Sequence, residues 1–187
     1  MDRQLLEKNY WNVAACDPDV EAKFICNFNN ADRLKVLGDL PGRVLEIGCG
    51  IGKLMKHGYY GIDISERMIQ MAKNLQPGCN FYVCDGRTIP FDAGYFDVVY
   101  CVLVFQHIPF DGFKQYVSET ARVLKPGGKF IFQFIEGDEA EPFSHHYNLE
   151  DVKHVLTSAN LNILSIDKGL IHGSWTWVRS EKAENKD

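Results

Sequence analysis

Three glycines at alternate positions, Gly48, Gly50 and Gly52, follow the apolar segment "RVLEIG" (43–48), and an acid, Glu46, stands two residues before the first of them. Glycine loses more conformational freedom on folding than any other residue, so three within five positions need a reason: a tight turn, a ligand lying against the backbone, or both. Missing side chains let a ligand approach, and free N–H groups at the start of a following helix can meet an anion. The spacing narrows the ligand. A dinucleotide fingerprint reads G-x-G-x-x-G, whereas here it is G-x-G-x-G with Lys53 where the third glycine would fall. Nor does the lysine precede Ser or Thr, as a phosphate-cradling loop requires. Glu46 also sits poorly beside a diphosphate. The residues point to a nucleoside without pyrophosphate, with a ligand-free glycine connection as the plain alternative.

Other side chains with chemistry lie further along. Asp63 ends "YYGIDI" (59–64) and Asp85 ends "NFYVCD" (80–85). Each precedes a polar turn, where aspartate is common in any case because it hydrogen-bonds the nearby backbone. His107, in "VFQHIP" just past the fourth apolar run, is a candidate general base or aligning group, with a purely structural histidine as the alternative. His145 and His146 follow Glu136, Asp138, Glu139 and Glu141 in a spacing that fits no recognised metal-ligand pattern, so no metal is expected. The stretch from Glu136 to Tyr147 reads as a solvated loop whose acids could attract a cationic or amine acceptor.

These residues need elements to position them, and the alternation of apolar runs with amphipathic stretches is that of a parallel sheet covered by helices. Strands are expected at 43–48, 59–64, 80–85, 96–104 and 129–134, with two later ones near 162–168 and 174–179. A short helix of under about two turns is expected after Gly52. Ser65 caps a helix whose Met68, Ile69, Ala72 and Leu75 share one face. Another carries Phe113, Tyr116, Val117, Thr120, Ala121 and Leu124 at helical spacing, ended by Pro126 and the pair Gly127–Gly128. Asn148 opens a third. The expected fold is α/β: a doubly wound, mostly parallel seven-stranded sheet with helices on both faces. In such sheets the ligand lies beyond the carboxyl ends of the strands, where Gly48 to Gly52 fall.

The whole chain sets outer bounds. Its 187 residues suit a single domain over 1–180, with residues 1–40 as an N-terminal cap, 41–180 as the core and 181–187 as a disordered charged tail. Tyr10 and Trp11 are candidate lid residues within that cap, or two aromatics packed on the sheet. A formal charge of −5 argues against extended nucleic-acid binding, which needs a basic face. No run of about 18 apolar residues is present, so no membrane span is expected. The N-terminus lacks the apolar core of a secretory signal, and a cytoplasmic chain follows by default. Six cysteines without a CxxC pair read as buried free thiols.

Several of these segments, in this order, resemble one family. "VLEIGCGIG" looks like the first motif of the class I S-adenosylmethionine-dependent methyltransferases, and "YYGIDIS" like their second strand. "FYVCDGRTIPFDAGYFDVVYCVLVFQHI" resembles their third and fourth strands with the connection between them, and "ARVLKPGGKFIF" their fifth. The resemblance is dense from about Pro41 to Phe134 and implies a Rossmann-like methyltransferase fold. It implies S-adenosyl-L-methionine as cofactor, S-adenosyl-L-homocysteine as product, and a small-molecule methyl acceptor. Carried over by position, it places the backbone near Gly48, Cys49 and Gly50 along the methionine portion, within the stretch Glu46 to Gly52. It gives Asp63 both ribose hydroxyls, Ile64 and Met68 the adenine ring, and Asp85 with the Gly86 backbone the adenine amino group. A carbonyl near Cys101 would take the cofactor's ammonium. The chain departs from the family in its short segment after Gly52 and in Asn160, where glycine is common. Two other classes remain open: a non-catalytic cofactor-binding partner subunit and a nicotinamide-dependent oxidoreductase.

Overall fold

The computed structural model describes residues 3–16, 32, 35–137 and 144–184. They group into two compact units, residues 1–40 with 45–86, and residues 41–44 with 87–187.

The first unit opens with helix α1 (Arg3–Ala14) and carries strands β1 (Val44–Ile47), β2 (Tyr60–Asp63) and β3 (Asn80–Val83), with helix α2 (Glu66–Leu75) between β2 and β3. The strands run in the order β3-β2-β1, all parallel. Every residue of β1 is buried, which is what an apolar run of four gains by entering a parallel sheet. Ser65 caps α2 by accepting from the Met68 N–H at 3.1 Å. Glu66 in the first turn and Lys73 in the last complement the helix dipole, while Met68, Ile69 and Ala72 are buried.

The helix expected after Gly52 is not there. Turns alone join β1 to β2 across residues 48–59. Gly52 and Gly58 take left-handed backbone angles, with φ of +80° and +86°, which no right-handed helix tolerates. The five residues between them are too few to nucleate one.

The second unit holds β4 (Phe96–Cys101), a 3₁₀ turn (Phe105–His107), α3 (Phe110–Val123), β5 (Leu124–Glu136), β6 (His146–Tyr147), α4 (Leu149–Ser158), β7 (Leu161–Lys168) and β8 (Trp175–Lys182). Strand order is β4-β5-β8-β7, with the two-residue β6 also beside β5. β4 and β6 lie parallel to β5, whereas β8 lies antiparallel to both β5 and β7. Fully buried Phe105, Phe113, Phe130, Phe132 and Phe134 form much of its core. The two-residue β6 goes beyond the seven strands expected.

Three boundaries differ from expectation. β4 stops at Cys101 rather than 104, because Leu103 turns the chain with φ +62°. β5 begins at Leu124, directly after α3, and contains the Pro-Gly-Gly segment expected to be a break. The register shows how: Phe96 faces Leu124 and Val98 already faces Lys129, so residues 125–128 bulge from the ladder around Gly127, whose φ is +72°. β8 continues to Lys182, two residues into the stretch read as a disordered tail; residues 185–187 lie outside the described ones. Asn160, with φ +57°, takes the left-handed turn after α4 that asparagine tolerates better than most residues.

Candidate functional site

The glycine turn is fixed by its own backbone. The Gly48 and Cys49 N–H groups both donate to the Ile62 carbonyl, at 2.8 and 3.0 Å, and the Gly52 N–H donates to the Cys49 carbonyl at 2.8 Å. The Gly50 N–H donates to Asp63 Oδ2 at 2.9 Å. These four donors are therefore engaged within the protein, and the expectation of free N–H groups at a helix start does not hold: there is no helix, and the strand carbonyls and Asp63 take the hydrogens. What the turn offers a ligand is space.

The three glycines divide by task. Gly48, Gly50 and Gly52 all have positive φ, of +67°, +50° and +80°. A side chain at Gly50 would meet nothing within 4 Å, so this position faces open space. A Cβ at Gly52 would lie 2.8 Å from Phe81 Cζ, so that glycine is required by packing against β3. Gly61 on β2 has the same function for the turn: a Cβ there would stand 2.7 Å from Cys49 Sγ. Burial, with nearby Asp63 and Glu46, pushes the Cys49 thiol well above its ordinary range and keeps it protonated. Glu46 is itself buried, paired in register with Gly61.

Asp63 is the one acid whose place in the turn the structure defines in detail. Its Oδ1 accepts from the Ser65 N–H at 2.8 Å while Oδ2 accepts from Gly50. Burial raises its pKa, and the N–H donors of Ser65, Gly50 and Ile64 work against that rise. Two carboxylate oxygens carry about four lone-pair sites, so these backbone donors do not exhaust them and acceptor capacity remains for a ligand hydroxyl. Met68 is buried in a cluster with Ile51 and Ala15, and Trp11 of α1 packs against that cluster. Asn12 Oδ1 accepts from Ser65 Oγ at 2.7 Å, and Lys8 pairs with Glu66 at 2.7 Å, so α1 is tied to the start of α2. Trp11 thus packs on the cluster, while Tyr10 is 63 % exposed. Ile64 is half-buried, Asp85 is exposed and Gly86 has φ +78°. The Cys84 N–H donates to the Asp63 carbonyl at 3.0 Å, which brings the start of the Asp85 turn beside Asp63.

Space at Gly50 beside a carboxylate with spare acceptor capacity fits a ligand that brings vicinal hydroxyls, as the ribose of S-adenosylmethionine does. The Gly48, Cys49, Gly50 and Gly52 N–H groups that could have met a diphosphate are already engaged.

Cys101 and His107 belong to the second unit. Cys101 is fully buried at the end of β4, facing Phe132. His107 closes the 3₁₀ turn, its N–H donating to the Val104 carbonyl at 2.8 Å. This turn is held from the stretch that follows β5. The His145 N–H donates to the Gln106 carbonyl at 2.7 Å, and the Tyr147 hydroxyl lies 2.7 Å from the Phe105 carbonyl and 2.5 Å from that of Ile108. His145 is buried and His146 half-buried. Among the described residues no three His, Cys, Asp or Glu side chains gather where they could hold a metal. Asp138, Glu139 and Glu141 lie outside those residues, as do most of the cap and Cys26. Sequence reasoning missed Gln106 and Gln133, which link side chain to side chain at 3.1 Å. A glutamine within the apolar run "KFIFQF" was the available signal.

Residues 45–132 match the family model described as a methyltransferase domain. The chain is 35 % identical over 144 residues to the ubiquinone biosynthesis O-methyltransferase of Coxiella burnetii, a match covering 70 % of this chain and 58 % of that protein. It is 36 % identical over 105 residues to the phthiotriol/phenolphthiotriol dimycocerosates methyltransferase of Mycobacterium tuberculosis, over 50 % of this chain and 38 % of that protein. The chain therefore spans a little over half the length of the Coxiella relative. Among solved structures, the magnesium protoporphyrin IX methyltransferase of Synechocystis with bound S-adenosylmethionine superposes with a TM-score of 0.72 at 19 % identity, over 98 % of each chain. A Haloferax volcanii complex of the Trm112 methyltransferase activator with a methyltransferase gives 0.75 at 17 % identity, over 93 % of this chain and 98 % of that one. These likenesses establish the Rossmann-like α/β fold expected from the sequence. The methyltransferase-domain match over residues 45–132 and the Coxiella relative support a class I S-adenosylmethionine-dependent methyltransferase, with S-adenosyl-L-methionine as cofactor.

Proposed function

We propose that this protein transfers a methyl group from S-adenosylmethionine to a small-molecule acceptor. The observation that carries the reading is the open space at Gly50 next to the Asp63 carboxylate, a side-chain-free position beside an acceptor with lone pairs to spare. Bound there, S-adenosylmethionine supplies a methyl carbon on a positively charged sulfur, which leaves as a neutral thioether. The protein has little covalent work to do beyond alignment and exclusion of water.

In this reading Asp63 accepts from both ribose hydroxyls, and its backbone bonds to Gly50 and Ser65 keep it aimed. Gly48, Cys49 and Gly50 line the methionine portion with backbone. Ile64 and Met68 pack on the adenine, Asp85 and the Gly86 backbone serve its amino group, and the Cys101 carbonyl receives the ammonium. Trp11 acts from α1 as a lid residue, a role supported by its packing on the Ile51–Met68 cluster. His107 serves the acceptor. Relatives named for ubiquinone biosynthesis O-methylation and for a phthiotriol/phenolphthiotriol dimycocerosates methyltransferase support a small molecule, with oxygen as the favoured nucleophile.

Titration calorimetry tests the reading. S-adenosylmethionine and S-adenosylhomocysteine should both bind and raise the melting temperature, and NAD should do neither. Incubation with a small-metabolite extract should then convert the cofactor to S-adenosylhomocysteine. Binding without conversion would favour the non-catalytic partner-subunit alternative, and stabilisation by NAD alone would overturn the assignment.

A further inference from the structure

Gln133 is fully buried on β5, and nothing in the function proposed above uses it. Its Oε1 accepts from the Leu103 N–H at 3.0 Å, and its Nε2 donates to Gln106 Oε1 at 3.1 Å. Gln106 Nε2 in turn faces His107 Nε2 at 3.4 Å. Three side chains are thus strung in line from a backbone donor to an imidazole nitrogen.

The direction of this string is not arbitrary. A backbone N–H can only donate, so Gln133 must present its oxygen to Leu103 and its amide nitrogen to Gln106. Gln106 must then present oxygen to Gln133 and nitrogen to His107. A side-chain amide nitrogen has no lone pair to offer, so His107 Nε2 has to accept, and the ring hydrogen sits on Nδ1. Turning either amide over sets donor against donor at one end. Leu103 is held at φ +62°, a region where leucine is rare, so its N–H is aimed at Gln133 by a turn the chain adopts at some cost. Tyr147 and the His145 N–H pin the same turn from outside, so it has little freedom to swing away.

We infer that Gln133 and Gln106 are positioning residues that fix His107 as the Nδ1–H tautomer with Nε2 capped. This rests on the methyltransferase reading only for its consequence. With Nε2 occupied and Nδ1 already protonated, His107 takes no proton from the methyl acceptor; it orients, and the acceptor's proton leaves by another route. An acceptor that ionises in water on its own, such as an acidic phenol or a carboxylic acid, suits such a site.

The test is a two-bond proton–nitrogen correlation spectrum of the full chain labelled with nitrogen-15 histidine, at neutral pH. The His107 signals are assigned by their loss in His107→Gln. The expected result is a pyrrole-type Nδ1 and a pyridine-type Nε2. Gln106→Glu puts a carboxylate oxygen opposite Nε2 while still accepting from Gln133, so the two nitrogens should exchange types. Gln133→Met frees Gln106 to turn over, and the two signals should move toward averaged values. A wild-type ring protonated on Nε2, or a Gln106→Glu ring that keeps its hydrogen on Nδ1, overturns the inference. Because Gln106 is only half-buried, its variant keeps the test available should Gln133→Met fail to fold. Calorimetry with S-adenosylhomocysteine on the same samples separates the two ideas. Normal binding with the wrong tautomer removes the relay alone, and an intact relay without binding removes the methyltransferase reading alone.

Discussion

The turn after β1 and the turn after β4 both leave a buried parallel strand, yet they are fixed by different means. At 48–52 the fold uses glycines with positive φ, the Ile62 carbonyl and one carboxylate that lies 13 residues from its Gly50 partner. At 102–108 there is no glycine; Leu103 takes the positive φ, and the amide that receives its N–H comes from β5, 30 residues away. The first turn gains room by omitting side chains. The second gains rigidity by importing them. A ligand that must lie along the backbone needs the former, and a ring that must keep one orientation needs the latter.

Breaking the glycine turn should give the largest effect. Gly52→Val forces a branched residue into φ +80° and drives its Cβ into Phe81, so a loss of about 3–5 kcal/mol in folding stability is expected from strain and overpacking together. Gly50→Ala, with φ +50° and open space, should cost only about 1–2 kcal/mol. Urea denaturation midpoints would measure both. Equal losses would mean that Phe81 yields easily and that the division between packing glycine and ligand-facing glycine is wrong.

Asp63→Ala comes next. It removes two charge-assisted acceptors from the proposed ribose site, and water recovers part of the loss, so S-adenosylhomocysteine should bind more weakly by about 2–4 kcal/mol, or roughly 30-fold to 1000-fold. Asp63→Asn should lose less, because one oxygen remains to accept. A 2′,3′-dideoxy analogue should flatten most of that ranking, leaving the part due to the freed Gly50 and Ser65 donors. Calorimetry on the three proteins with both ligands would decide, and an unchanged affinity in Asp63→Ala would reduce Asp63 to a turn residue.

In the second turn, Gln133→Leu leaves the part-buried Leu103 N–H without its acceptor, and a loss of about 1–3 kcal/mol is expected by chemical denaturation. Cofactor affinity should fall less than in Asp63→Ala, since Gln133 holds the turn after β4 and touches none of the residues proposed for the ribose. A larger effect on S-adenosylhomocysteine than on stability would contradict the separate tasks assigned to the two turns.

The smallest effects concern pH, where one aspartate from each unit has the opposite sign. Burial raises the Asp63 pKa above its ordinary value of 3.8, so the native state holds this proton more tightly than the unfolded chain does. Its contribution to stability therefore falls as pH rises from about 3.8 through the raised native value. Asp97 is lowered, chiefly by the Lys125 hydrogen bond at 2.5 Å, despite some burial and with help from the Arg43 N–H. Its contribution is complete above 3.8 and is lost as pH falls below that value toward the lowered native one. Asp63→Asn should remove the first slope and Asp97→Asn the second, as read from stability measured across acid pH. Matching slopes in the two variants would refute the contrast.

The sequence already carried much of the first turn. The glycine spacing disfavoured a dinucleotide loop, the capping serine located α2, and the apolar runs located each of the seven expected strands. It expected a short helix after Gly52, where the left-handed angles of Gly52 and Gly58 forbid one, and the Phe81 side chain against which Gly52 packs belongs to β3. The same local reading expected free N–H groups at the turn, although their partners, Ile62 and Asp63, stand on a neighbouring strand. Pro126, Gly127 and Gly128 read as the end of a helix; only pairing with β4 shows them as a bulge inside β5.

By itself the sequence located the seven expected strands, the capped helix after β2 and the acid that ends β2, because propensity, hydrophobic period and glycine spacing act over a few residues. Tertiary structure decided which donors and acceptors meet. Hydrogen-bond direction is a property of pairs, and the pairs that matter here join residues 13, 27 and 30 positions apart. Whether Gln133 is an odd polar residue in an apolar strand or the anchor of a histidine tautomer is settled by the one backbone N–H that β5 places in front of it.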